Sequence, residues 1–164
     1  MKLKIRKATI KDIDQIYNVF LDMVRSEDAA MRKSSRHLMR FRKKRNDFTS
    51  SSKRGLREEL KAKNSLYLVA VVGDKIVGYA RGEVLYSQNF FFQREKTGRL
   101  HALAVLKKYR GHKIASQLHN EMENWFKKKQ CLQMNLTVIK DNPAVKIYEK
   151  WGYKTFVYKM SKKI

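Results

Sequence analysis

Apolar positions along the chain switch between two periods, and each switch marks an element. Residues 5–8 form a short strand-like run. Thr9 and Asp12 each suit a helix N-cap, and Ile13, Ile16, Tyr17, Phe20 and Met23 or Val24 then recur at three- and four-residue steps. That spacing predicts an amphipathic helix. Met31, Leu38, Met39 and Phe41 share one helical face among arginines and predict a second, basic helix. Residues 48–52, Phe-Thr-Ser-Ser-Ser, read as a break, and Leu56 with Leu60 as another short helix.

Residues 65–86 have the pattern of a hairpin: a β-rich run, the turn pair Gly73-Asp74, and a return from Ile76. Gly98 precedes a strand over 100–105. After Gly111, the positions Ile114, Leu118, Met122, Trp125 and Phe126 predict a helix with one apolar stripe. A strand over 132–139 follows. Asn142 caps the next helix, Pro143 takes its first position and Gly152 ends it. A last strand is expected over 154–160. The strand at 100–105, its helix and the strand at 132–139 form a crossover unit with parallel strands. The class is α/β or α+β with a mixed sheet.

Composition narrows the setting. At 164 residues the expectation is a single domain over 1–164, with a basic helical segment at about 25–63. That segment holds fourteen Lys/Arg and five Asp/Glu, a local net of +9. No apolar run is long enough to span a bilayer and no export signal is visible, so the expected location is cytoplasmic, without membrane association. The lone Cys131 excludes an internal disulfide and, with scattered histidines, argues against a metal site. His37 and His119 read as surface groups, and Cys131 as a small residue at a strand start.

The whole chain carries 38 Lys+Arg against 15 Asp+Glu, a net of +23. Such a balance draws a protein toward polyanions and says nothing about its fold. Association with nucleic acid or ribosomes therefore stays open, beside the plainer reading of a solvated charged face.

The chemistry concentrates where the strand at 100–105 runs into a basic turn and straight into a helix. There, Arg110, Gly111, His112, Lys113, Ile114, Ala115 and Ser116 direct unpaired amides and the positive end of a helix dipole at one spot. Such a spot binds phosphate. Lys113 is expected to have ordinary helical angles, its ammonium adding to that attraction.

The element order, the turn Arg110-Gly111-His112-Lys113-Ile114-Ala115 and the later segment Asn142-Pro143-Ala144 to Tyr148-Glu149-Lys150-Trp151-Gly152-Tyr153 together resemble the GNAT superfamily of acetyl-CoA-dependent N-acyltransferases. The turn is similar to the family's Arg/Gln-x-x-Gly-x-Gly/Ala signature at its first and last positions, with Lys113 where glycine is usual. The resemblance implies a mixed, mostly antiparallel central sheet flanked by helices, the acyl-CoA N-acyltransferase fold. It implies acetyl-CoA as co-substrate and an amine acceptor, on a peptide, protein or small molecule, in a monomer or homodimer.

The resemblance also implies roles. The backbone of Leu103, Ala104 and Val105 would bind the pantetheine arm like an added strand, and the amides of residues 110–116 would cradle the pyrophosphate. The Val105 N–H would face the developing oxyanion, and Tyr148 would protonate the departing thiolate. Counting back seven residues from Tyr148 lands on Asp141, with Asn142 next; Asn142 is taken as the cofactor contact. Many relatives place a carboxylate base on the strand that here reads Arg-Leu-His-Ala-Leu-Ala-Val, which has none. His101 stands there instead, either as the base or as a half-buried histidine on the sheet's other side, and Glu83 is the second candidate. The segment at 25–63 lies where the family binds its acceptor. The patch Asn89 to Gln93 either lines the acceptor site or makes a dimer or core contact. The competing reading is a basic nucleic-acid- or ribosome-associated binding module.

Overall fold

A computed structural model describes residues 2–86, 91 and 93–162. Of the aromatic patch, Asn89, Phe90 and Phe92 lie outside the described residues. Strands β1 (Leu3–Lys7), β2 (Ser65–Val72), β3 (Lys75–Tyr86), β4 (Lys96–Val105) and β5 (Gln133–Leu136) lie side by side in that order. All neighbours are antiparallel except β4 and β5. The helices are α1 (Ile13–Ser34), α2 (Phe48–Lys61), α3 (Ile114–Lys128) and α4 (Ala144–Lys150). The mixed, mostly antiparallel sheet agrees with expectation.

The chain divides into two compact units. One comprises residues up to Met23 together with Asn46–Thr137; the other comprises Val24–Arg45 and the residues from Val138 onward. In the first, the sheet is covered on both faces. Ile13, Ile16, Tyr17 and Val19 of α1 and Leu56 of α2 pack on Tyr67, Val69, Tyr79 and Ala104. On the opposite face, the buried stripe Ile114, Leu118, Met122 and Phe126 brings α3 down on β3 and β4. This contact needs glycine. A Cβ at Gly82 would lie 2.3 Å from the Met122 sulfur, and one at Gly98 would lie 2.4 Å from the Phe126 ring.

Several expectations change. Residues 48–52 are not a break but the first turns of α2. The serines bond back to their own turn, Ser50 Oγ to the Asp47 carbonyl (3.1 Å) and Ser51 Oγ to that of Phe48 (3.2 Å). Tertiary contacts then override their weak propensity: Phe48 stacks on Phe20, and Thr49 meets the Tyr17 hydroxyl at 3.0 Å. His119 is buried, only 4% exposed, because it lies four residues after Ala115 and three before Met122, on the buried stripe.

In the second unit, the basic helix expected around Met31 to Phe41 is instead the end of α1 followed by a 3₁₀ turn over Arg36–Arg42. Arg42 pairs with both Glu27 and Asp28. The last expected strand is not formed: residues 154–160 have no ladder, and Phe156, Val157 and Tyr158 are exposed. Strand propensity measures fit to a pleated, half-buried surface, and among the described residues this segment has no such partner.

Candidate cofactor and active site

Strands β4 and β5 pair only from Thr97–Gln133 to Leu100–Leu136. Beyond Leu100, β4 keeps its β3 partner alone among the described residues. The direction of its backbone groups follows from alternation. Leu106 N–H donates to the Val77 carbonyl (2.9 Å), so Leu106 and Ala104 point at β3. Leu103 and Val105 therefore point the other way, onto an open edge. Val105's carbonyl accepts from Arg110 Nε at 3.0 Å, which leaves the Leu103 N–H and C=O and the Val105 N–H. Three such groups in strand geometry suit an extended ligand carrying amides. Ala104 differs from its neighbours in its backbone, which faces Tyr79.

The same strand end leads into the anion site. Arg110 donates its own N–H to the Lys107 carbonyl (3.2 Å), so the free run of amides begins at Gly111 rather than at Arg110. Among the described residues, the amides of Gly111, His112, Lys113, Ile114, Ala115 and Ser116 meet no protein acceptor. They converge on the N-terminus of the fifteen-residue helix α3, where its dipole adds positive potential. His112 Nδ1 lies 3.0 Å from the Arg110 carbonyl and 3.3 Å from that of Tyr109, which braces the turn.

Lys113 corrects the expectation of helical angles. Its φ of 56° and ψ of 15° are left-handed, just before the first residue of α3. This position thus demands the conformation that glycine adopts freely, which explains why lysine looked foreign there. Gly111, at φ 84°, is the other left-handed residue of the turn.

Arg110 reaches past the turn. Its Nη2 meets Asp22 Oδ2 on α1 at 2.9 Å, and the same carboxylate oxygen accepts the Lys107 N–H at 3.1 Å. Asp22 was not legible as a site residue, being 88 positions away and on a helix with other polar groups.

His101 has a distinctive place. In the β3–β4 register, Arg81 faces Ala102 and Gly82 faces Leu100, so His101 is the extra residue of a bulge. Alternation from Arg99, the partner of Glu83, puts His101 on the same face as Arg81 and Glu83. Its Nε2 lies 2.7 Å from Glu83 Oε2, so the two candidate bases form one pair. Behind them, Arg81 Nη2 is 3.7 Å from Glu83 and its Nε 3.4 Å from Glu59 of α2. Tyr67 donates its hydroxyl to Glu59, and burial followed by that carboxylate drives the phenol's pKa far up. The His101 pKa is lowered, first by burial and then by Arg81, with Glu83 opposing. Arg81, Glu59 and Tyr67 gave no sequence signal, since only the folded register assembles them.

In the second unit, α4 is capped at both ends. Asn142 Oδ1 accepts the Ala144 N–H (2.9 Å), which engages that oxygen and leaves the side-chain amide to a ligand. At the other end, Gly152 N–H donates to the Glu149 carbonyl and Tyr153 N–H to that of Tyr148, with Gly152 at φ 89°. This is a Schellman closure. It brings the Tyr153 and Trp151 rings within 5.7 and 5.8 Å of Tyr148 and holds it in place. Among the described residues the Tyr148 hydroxyl has no protein partner. Its pKa is pushed up to about 12, by burial first and Glu27 second, so the group stays a neutral proton donor.

The family model of the acetyltransferase (GNAT) family matches residues 29–153. The chain belongs to the GNAT acetyltransferase family. That family uses acetyl-CoA, and the open β4 edge with the adjoining amides fits an amide-bearing arm ending in a pyrophosphate. No curated protein matches the sequence. Solved structures share the GNAT fold at low identity. A transcriptional regulator from Bacillus halodurans is 24% identical with a TM-score of 0.71, covering 99% of this chain and 100% of that one. An aminoglycoside 6'-N-acetyltransferase from Acinetobacter haemolyticus is 18% identical with a TM-score of 0.71, covering 98% and 99%. A predicted acetyltransferase from Clostridium acetobutylicum, solved with acetyl-CoA, is 18% identical with a TM-score of 0.68, covering 99% and 96%. Among the described residues, no group of three or more His, Cys, Asp or Glu is placed to hold a metal ion, and no helix is long and apolar enough to cross a membrane.

Proposed function

We propose that this GNAT protein is an N-acetyltransferase that moves an acetyl group from acetyl-CoA directly to an amine. The observation that carries the reading is the departure of β4 from β5 after Leu100, which opens the Leu103 and Val105 edge beside the free amides of residues 111–116. The Leu103 and Val105 backbone would hold the pantetheine amides, and the α3 N-terminus with Lys113 the pyrophosphate. Asn142 would offer its side-chain amide to the cofactor. The amine nitrogen forms its bond to the acetyl carbon as the carbon–sulfur bond breaks. His101, kept neutral by burial, takes the amine proton through water, and Tyr148 gives its proton to the departing sulfur. The Val105 N–H faces the charge developing on the carbonyl oxygen.

The net charge of +23 disfavours polycationic acceptors, so a neutral or acidic amine, or a peptide, is the better-supported class. The test is thiol release from acetyl-CoA against a panel of amines and peptides, with a thermal-shift measurement alongside. Ligand at one hundred times its dissociation constant adds about 2.7 kcal/mol of stability. Absence of both thiol release and a melting shift at millimolar acetyl-CoA overturns the reading.

A second reading, association with a polyanion, is favoured by one observation. The 3₁₀ turn exposes Phe41, 77% accessible, beside Arg40, whose guanidinium lies 5.6 Å from the ring centre. It requires RNA or DNA affinity that falls steeply with salt and drops on Phe41→Ala.

A further inference from the structure

We infer that Glu83 fixes the tautomer of His101, so that the nitrogen that takes the acceptor's proton is Nδ1 and not Nε2. The inference rests on the N-acetyltransferase reading for its role in turnover, but the tautomer itself is a property of the folded chain. Above its pKa an imidazole carries one N–H, and which nitrogen bears it is set by the hydrogen bond the other groups offer. Glu83 Oε2 lies 2.7 Å from Nε2, and an ionised carboxylate only accepts. The proton therefore belongs on Nε2, which donates to Glu83, and the lone pair on Nδ1. No protein partner of Nδ1 occurs among the described residues.

The geometry is built rather than incidental. The cross-strand partner of Glu83 is Arg99, and His101, two residues further along β4, lies on the same face and diagonal to Glu83. Among the described residues, the charged groups that act on the imidazole come from this neighbourhood. Arg81 and Glu83 are on β3 and Arg99 is on β4, while Glu59 of α2 holds the far side of Arg81. Arg99 is itself turned aside to the Thr137 hydroxyl at 3.3 Å. Glu83 favours the charged imidazole while Arg81 and burial oppose it. Glu83 is thus a positioning residue: it orients the ring and supports the imidazolium formed when Nδ1 gains a proton. The protons balance: the amine's proton reaches Nδ1 through water and returns from Nδ1 to solvent, while solvent restores the proton that Tyr148 gives to sulfur.

Nitrogen-15 NMR of the imidazole, titrated with pH on the full chain, reads the tautomer without any acceptor. The wild type should show the Nε2–H form above the His101 pKa. Glu83→Gln keeps an accepting oxygen, so the tautomer should persist while the pKa falls. Glu83→Leu removes the acceptor, so the two tautomers should mix. In turnover, the acid limb of the kcat/KM profile should move to lower pH in Glu83→Gln, with kcat lower in Glu83→Leu than in Glu83→Gln. A mere cross-strand pair would change melting temperature and leave the acid limb in place. An Nδ1–H wild type, or a His101 pKa unmoved by Glu83→Gln, overturns the inference even if acetyl transfer is observed. The expected tautomer without any acetyl transfer would leave the inference standing and defeat the proposed function instead.

Discussion

Arg110 Nε donates to the Val105 carbonyl across 3.0 Å, joining the last residue of β4 to the turn that follows it. The same guanidinium meets Asp22 at 2.9 Å, so one side chain ties strand end, turn and α1 together. The Val105 N–H and the turn amides must hold a fixed spacing if a single ligand is to meet both. Replacing Arg110 by Met should weaken acetyl-CoA binding about tenfold, and lower stability by only about 1 kcal/mol because the side chain is half exposed. Asp22→Asn retains the Val105 contact and should weaken binding less. Titration calorimetry on the two variants checks the order; a loss in Arg110→Met with a gain in Asp22→Asn would place the effect in charge rather than geometry.

Lys113 makes a backbone prediction separable from charge. At φ 56° a side chain is strained, so Lys113→Gly should gain about 1 kcal/mol in stability over Lys113→Ala. Both variants lose the ammonium and should lose cofactor affinity together. Chemical denaturation of the pair measures the first difference. If alanine and glycine prove equally stable, the left-handed angle carries no strain.

Asp12 supplies a pH dependence. Arg6 grips its carboxylate with two hydrogen bonds of 2.7 and 2.8 Å, and the Thr9 N–H adds a third at 2.7 Å. Led by the Arg6 bond, these lower its pKa from 3.8 to about 2 in the folded chain. The unfolded chain binds the proton more readily, so the stabilisation, about 2 kcal/mol, is complete above about pH 4 and disappears as pH falls through 2. The stability gap between wild type and Asp12→Asn should therefore shrink between pH 5 and about pH 2. A gap constant over that range would mean the pair does not titrate.

Legibility from sequence followed the range of the interactions. The hairpin turn at Gly73-Asp74, the α3 stripe from Ile114 to Phe126 and the caps of α4 depend on neighbours a few residues apart, and all formed as read. The parallel β4–β5 pair also formed, but two other segments turned on distant partners that their own sequence does not show. The polar run at 48–52 became helix because Phe20 received Phe48, and the β-prone residues 154–160 stayed unpaired. In the candidate site, the turn and His101 were visible as residue types. Their pairings were not: Asp22 under Arg110, and Glu83, named only as a rival base, against His101 arise from helix placement and register. Even the glycine-like demand at position 113 showed only as an odd residue in a family pattern.

Tyr148 offers the most direct test of the acid role. Its hydroxyl is unpartnered among the described residues and its pKa is pushed up to about 12, so it holds its proton across the working range. A thiol, with an ordinary pKa of about 8.5, is a stronger acid than this phenol. The proton therefore moves toward sulfur only while the carbon–sulfur bond is breaking and the developing thiolate is held against the hydroxyl. Tyr148→Phe preserves the ring contacts with Trp151 and Tyr153 and should leave stability and acetyl-CoA affinity nearly unchanged. It should lower kcat about a hundredfold, the usual scale of one proton-transfer group. The loss should be smaller for an acyl donor whose thiol is more acidic, because that leaving group needs less help. Steady-state kinetics with two acyl thioesters of different leaving-group pKa measure this. An identical loss for both donors would remove Tyr148 from the protonation step and leave it a packing residue.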